Sequence, residues 1–169
     1  MSSIKNQRIE SFLKDLSSPS PTPGGGAVAA LSGAMAASLV EMVCNLTLGK
    51  MKYQKASGQA RRIKSEASKI RKQLTDLSDK DVSSFNSVLA AYKSKDKKRI
   101  KTALLGATSV PQEVKKLSAR VGQLATSIGK VGNRNAYSDA RSAFYLAFAS
   151  QKAAEENIKI NKKALAALN

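Results

Sequence analysis

Pro21-Thr22-Pro23-Gly24-Gly25-Gly26 runs straight into Ala27-Val28-Ala29-Ala30-Leu31-Ser32-Gly33-Ala34-Met35-Ala36-Ala37-Ser38-Leu39-Val40-Glu41-Met42-Val43-Cys44-Asn45-Leu46-Thr47-Leu48. Two prolines and three glycines read as a loop. From about Ala27 to Leu48 the residues are helix formers without Pro. This segment is apolar nearly all round, so it belongs at the centre of a bundle rather than on its surface. Gly33 and Ala37 are small at a helical spacing, which suits close approach of another helix, in the same chain or across a dimer interface. Gly24 to Val40 is the longest stretch of low charge, but Ala, Gly and Ser dominate it. Its hydrophobicity reads as too low for a membrane span.

Working outward, the rest of the chain has the same helical character. Beyond Pro23 only Pro111 interrupts it, and strand-type alternation is missing. Six helices are predicted. The first spans about Ile4 to Ser17, with Ile9, Phe12, Leu13 and Leu16 on one side. The second is Ala27 to Leu48. A long third runs from about Gln54 to Tyr92, and a fourth from about Lys97 to Thr108. Ser109-Val110-Pro111-Gln112 reads as a capping box with proline in the first turn of a fifth helix, which ends near Ile128. After a Gly/Asn loop the last helix runs from about Ser138 to Leu168. The expectation is an all-α, single-domain bundle of long antiparallel helices over residues 1–169.

Composition narrows the chemistry. With 169 residues the chain can bury a sizeable core. It contains no His, one Cys (Cys44) and no Trp. That excludes Ser-His-Asp and Cys-His nucleophile pairs, any His-containing metal site and an intrachain disulfide. Lys and Arg number 29 against 12 Asp and Glu, a formal charge of +17. Such a surface favours an anionic partner, although the lysines are spread too evenly to read as a nucleic-acid footprint, and aromatic residues for stacking are few. Met1 to Lys14 carries no apolar run of signal-peptide type. With one free thiol, this points to the cytosol, with no membrane partner.

Four features stand out. Leu74, Leu77, Asp81, Phe85, Val88 and Tyr92 recur at three- and four-residue steps, so Asp81 interrupts an otherwise apolar face. A carboxylate facing a core is costly unless it is paired. Asp81 therefore either caps or pairs with a neighbouring element, or serves as a general base in a pocket. Glu41, inside the apolar helix, reads as the partner of a Lys. Gly24-Gly25-Gly26 lies before a helix whose free N–H groups could meet an anion or carbonyl, or it is a plain elbow. Ser138 and Asp139 suit the start of the last helix. Asp139 and Asn157, 18 residues apart, lie on one side of it.

These blocks together resemble the cyclodeaminase/cyclohydrolase family, found at the C-terminus of formiminotransferase-cyclodeaminase and as free-standing methenyltetrahydrofolate cyclohydrolases. The resemblance starts at Pro21-Thr22-Pro23-Gly24-Gly25-Gly26 and continues through Asn45-Leu46-Thr47-Leu48-Gly49-Lys50 to Lys52-Tyr53. It resumes at Asp81-Val82 with Phe85, and again at Val110-Pro111, Gly132-Asn133, Ser138-Asp139, Asn157 and Asn161. It implies an all-helical homodimer acting on a reduced folate, with no cofactor or metal. It implies that Asp81 is catalytic and that Pro23, Gly24, Gly25, Gly26, Tyr53, Phe85, Asn133, Ser138, Asp139 and Asn157 bind substrate. Lys50, which falls in the matched block, is the nominated proton donor. The expected reaction is hydrolysis of 5,10-methenyltetrahydrofolate to 10-formyltetrahydrofolate. The alternatives are a formiminotetrahydrofolate cyclodeaminase and a non-catalytic basic binder of anions or nucleic acid. The positive charge would suit polyglutamate tails on the folate. Relative to the family the chain is expected to lack a C-terminal helix.

Overall fold

The computed structural model describes residues 3–168; Met1, Ser2 and Asn169, the ends of the expected domain, lie outside them. After a 3-10 turn at Ile4–Asn6 come five α-helices: α1 Ile9–Leu16, α2 Gly25–Thr47, α3 Ser57–Ser94, α4 Lys97–Val131 and α5 Tyr137–Ala166. No strand occurs among the described residues. The all-α class is as expected.

Helix α2 is the axis of the bundle and packs on α3, α4 and α5. Ala30, Ala36, Ala37, Val40, Val43 and Cys44 are fully buried on it. Gly33 shows how tight the packing is. A Cβ there would lie 2.6 Å from Ser118 Oγ and 3.0 Å from Ser150 Oγ. The close approach predicted at Gly33 therefore occurs inside one chain, against α4 and α5, and Ala37 is fully buried beside it. Ser150 Oγ lies 2.7 Å from Ser118 Oγ and donates to Ala29 O at 2.6 Å, so the polar atoms at this crossing are satisfied. By length and composition, α2 is apolar enough to cross a membrane, with mean hydropathy 1.8. This corrects the expectation that its hydrophobicity is too low. Three packed helices account for that apolarity, and 56% of the apolar window is buried among them.

Two predicted boundaries were wrong. The first helix breaks after Asn6, because Asp79 on α3 takes both Ser3 Oγ and the Ile4 N–H, fixing the chain in a separate turn. Its predicted apolar side is not a core face either: Ile9 is 79% exposed and Leu13 54%. The fourth and fifth helices are one helix that passes through Pro111. Ser109 Oγ donates to Gly106 O and so does not cap a new helix. The buried stripe Ile100, Leu104, Thr108, Pro111, Val114 and Leu117 is continuous, and it carries α4 across a residue that costs about 3 kcal/mol in a helix interior.

A shortfall in length makes the site. Helix α2 rises only about 34 Å over its 23 residues, while α3 rises about 57 Å over 38. Beyond Gly25 the bundle loses its axis. There α3, α4 and α5 close on one another through a second, smaller core of Val88, Ala91, Ile100 and Leu104, with Ala164 and Leu165 against it.

Candidate active site

Where α2 stops, a cleft of about 350 Å³ opens along the line that the helix would have continued. Gly24, Gly25 and Gly26 form one wall. Helix α3 contributes Asp81, Ser84, Phe85, Val88 and Tyr92. Helix α4 supplies Leu104 and Ala107, and α5 supplies Asn157, Ile160 and Asn161. The predicted face of α3 is thus real. Leu74 and Leu77 bury in the main core, Val88 in the smaller one, and Asp81 with Phe85 lines the gap between the two cores.

Asp81 meets both readings of its position. Its carboxylate lies over the first turn of α2, where Gly24 provides no side-chain cap, and it accepts a hydrogen bond from the Ala27 N–H. A Cβ on Gly26 would overlap that carboxylate, so the glycine is required for the approach. The same carboxylate faces the cleft. Among the described residues no Lys or Arg pairs with it. Burial pushes the carboxyl up to about 6, against the Ala27 N–H, which favours the charged form. A group in this range can both take and return a proton near neutral pH.

The expected substrate-binding residues separate into two groups. Gly24, Gly25, Gly26, Phe85 and Asn157 surround the cleft with Asp81. Pro23 is buried and lines a neighbouring depression with Ser3, Asp79 and Asn86. The others sit at the far end of α2. From Gly26 to Lys50 the chain is α-helical almost throughout, and at 1.5 Å per residue that is about 35 Å. Within one chain, therefore, Lys50 lies too far away to protonate a molecule held at Asp81. Tyr53 and Asn133 meet each other there. Asn133 N donates to Thr47 Oγ1 at 2.9 Å, and Asn133 Nδ2 to Leu46 O at 3.0 Å. Tyr53 Oη lies 3.4 Å from Asn133 Oδ1 and accepts from the Arg134 N–H at 3.1 Å. This knot closes the C-terminal end of α2 and ties two connections together. Ser138 and Asp139 fall in the first turn of α5, whose N-cap is Ala136. Asp139 shares a side of α5 with Asn157 but lies about 27 Å from it along the axis.

Glu41 is accounted for structurally, with a different partner from the Lys expected: Arg71 Nε lies 2.6 Å from its Oε1. Cys44 is buried and its thiol is pushed up to about 11 by that burial, so it is not a nucleophile at neutral pH. Tyr92 and Ile160 are cleft residues to which no role was assigned from the sequence. Tyr92 was visible as the end of the Asp81 face, and Ile160 lies one turn on from Asn157.

Comparison with known proteins agrees with this geometry. The model of the formiminotransferase-cyclodeaminase family matches residues 8–167. A methenyltetrahydrofolate cyclohydrolase of Methylorubrum extorquens is 40% identical over 95% of this chain and 81% of its own length. The formimidoyltransferase-cyclodeaminase of Rattus norvegicus is 26% identical over 95% of this chain, which spans only 31% of that longer protein. The crystal structure of formiminotetrahydrofolate cyclodeaminase from Thermotoga maritima superposes with a TM-score of 0.92 at 33% identity, covering 96% of this chain and 81% of that one. A continuous match over nearly all of its helices leaves no doubt about kinship: the chain belongs to the formiminotransferase-cyclodeaminase family.

Proposed function

We propose that the protein is a methenyltetrahydrofolate cyclohydrolase, converting 5,10-methenyltetrahydrofolate and water to 10-formyltetrahydrofolate. The observation that carries this is Asp81: an unpaired, half-buried carboxyl in a cleft, in a chain 40% identical to a cyclohydrolase.

The methenyl carbon is part of an amidinium cation and is already electrophilic. A carboxylate beside it stabilises the cation and holds the attacking water. As the water oxygen bonds to carbon, Asp81 takes one of its protons. The neutral carbinol then collapses. Its O–H proton leaves, the C–N5 bond breaks, and N5 receives a proton, leaving a formyl group on N10. One proton is released overall. A carboxyl poised near 6 can serve as base in the first step and acid in the second, which removes the need for Lys50 as a separate donor. No cofactor enters this scheme. The apolar walls Phe85, Val88 and Leu104 suit a flat ring system.

A second reading is favoured by the Thermotoga maritima neighbour, a cyclodeaminase. The two activities differ in the leaving group, so one pair of assays separates them. Loss of the near-UV absorbance of methenyltetrahydrofolate, faster than in buffer, is expected. Ammonia release from 5-formiminotetrahydrofolate without that hydrolysis would reverse the order.

The active form is a homodimer. Met35, Met42 and Leu46 on α2 and Tyr145 and Phe148 on α5 are exposed along adjacent helices, an apolar face that a second copy would cover. Sedimentation should give twice the monomer mass, and a monomer at micromolar concentration would defeat this. The substrate carries a polyglutamate tail. Lys93, Lys95, Lys97, Lys98, Arg99, Lys101, Lys162 and Lys163 crowd the helix ends just beyond the cleft. The KM advantage of polyglutamylated over monoglutamylated substrate should shrink as salt rises; a salt-independent advantage would speak against it.

A further inference from the structure

Pro111 lacks an N–H, so the carbonyl four residues earlier, Ala107 O, receives no helical hydrogen bond. That carbonyl is not left bare. Asn161 Nδ2 donates to it across the bundle at 3.0 Å. A carbonyl oxygen only accepts, so this contact determines which way round the Asn161 amide sits. The NH₂ group is turned to Ala107, and Oδ1 is left as the open acceptor. Among the described residues nothing donates to Oδ1, and it is not a sealed buried atom. Asn161 lines the cleft. One turn earlier, Asn157 does the same: its Nδ2 donates to Ala153 O at 2.9 Å, again leaving Oδ1 open. The cleft therefore carries two amide oxygens about 6 Å apart along α5, each with its NH₂ group engaged elsewhere.

We propose that Asn161 is a substrate-recognising residue, aimed by the carbonyl that Pro111 leaves free, and that its Oδ1 accepts a hydrogen bond from the exocyclic amino group of an aminopyrimidinone ring. This rests on the folate reading of the cleft and sharpens it. Two fixed acceptors select a ring edge rich in N–H donors, while Phe85 and Val88 pack its faces. Pro111 is a positioning residue that acts through Ala107 and Asn161.

The test is a cycle between protein and ligand, using folate and its analogue lacking the 2-amino group in binding titrations, with steady-state kinetics on methenyltetrahydrofolate alongside. Wild type should lose about tenfold in affinity when the amino group is removed, the value of one directed hydrogen bond. Asn161→Ala should raise KM about tenfold, keep kcat within about twofold, and bind the two ligands equally well. Pro111→Ala restores an N–H that competes for Ala107 O. It should raise KM a few-fold in wild type and leave KM unchanged in the Asn161→Ala background. Removing a proline from a helix interior favours the fold, so this variant reports even if Asn161→Ala does not fold. If Asn161→Ala still discriminates against the analogue as strongly as wild type does, the proposal is overturned. If wild type binds both folates with discrimination but hydrolyses nothing, the cyclohydrolase reading fails and this one stands.

Discussion

The two ends of α2 are built from similar residue types and do opposite things. At the C-terminal end, Thr47, Tyr53, Asn133 and the Arg134 backbone use their polar groups on one another. At the N-terminal end, Asp81, Asn157 and Asn161 each keep an oxygen that faces open space. A closed network holds connections in place. An open one has capacity left for a ligand, at some cost in stability. The resemblance to the family marks residues at both ends alike, and only the geometry separates them.

The sharpest way to break this comparison is Asp81→Asn. The amide retains an oxygen for the Ala27 N–H and the shape of the side chain, but it cannot accept a proton from water. A loss of 10²- to 10⁴-fold in kcat is expected, the range for a positioned general base. Stopped-flow absorbance on methenyltetrahydrofolate with a circular dichroism control measures it. A variant with wild-type kcat would place Asp81 with the closed network, as a helix cap alone.

The same substitution has a second and smaller effect, on stability. In the folded chain the Asp81 carboxyl titrates at about 6, above its ordinary 3.8. Below pH 3.8 both folded and unfolded chains hold the proton, and the group makes no difference. Between 3.8 and 6 the unfolded chain releases the proton while the folded chain keeps it, so stability falls as pH rises. Above 6 the loss is complete, on the order of 3 kcal/mol. Asp81→Asn should therefore be more stable than wild type by about 2–3 kcal/mol at pH 7.5 and equally stable at pH 3.5. Urea titrations at the two pH values show whether the gap closes. A gap that stayed constant, or a variant less stable at neutral pH, would mean that the carboxylate at α2 stabilises the fold.

How far these two ends could be read beforehand depends on whether the deciding contact is local. Asp81 is visible because its helical neighbours are all apolar, and the glycines are visible because they stand where a helix begins. The 35 Å between Gly26 and Lys50 was also available, from the rise of a single helix already recognised. Pro111 reads as a helix start because a capping box is a local pattern. The helix instead continues on its unbroken buried stripe, and Asn161, 50 residues later, satisfies the carbonyl that the proline orphans. Likewise nothing near Ile4 announces that Asp79 will break the first helix there. Pairings between distant residues decided each of these misreadings. The exposed side of α1 differs in kind: its amphipathic pattern is real, but among the described residues Ile9 and Leu13 stay largely uncovered.

The smallest predicted effect tests the closed end. Tyr53→Phe removes the hydroxyl that accepts from the Arg134 N–H and faces Asn133 Oδ1. The ring can stay in place. Only hydrogen bonds in a half-buried loop are lost, and Asn133 keeps its bonds to Thr47 and Leu46. A loss of about 1 kcal/mol is expected, read from the urea midpoint with an unchanged m-value. Because the knot lies some 30 Å from Asp81 in the same chain, kcat and KM should both match wild type. A KM that rose without a change in stability would be the more informative result. It would show that Tyr53 reaches a folate held in another copy's cleft, and that the two ends of α2, separate in the monomer, are joined in the dimer.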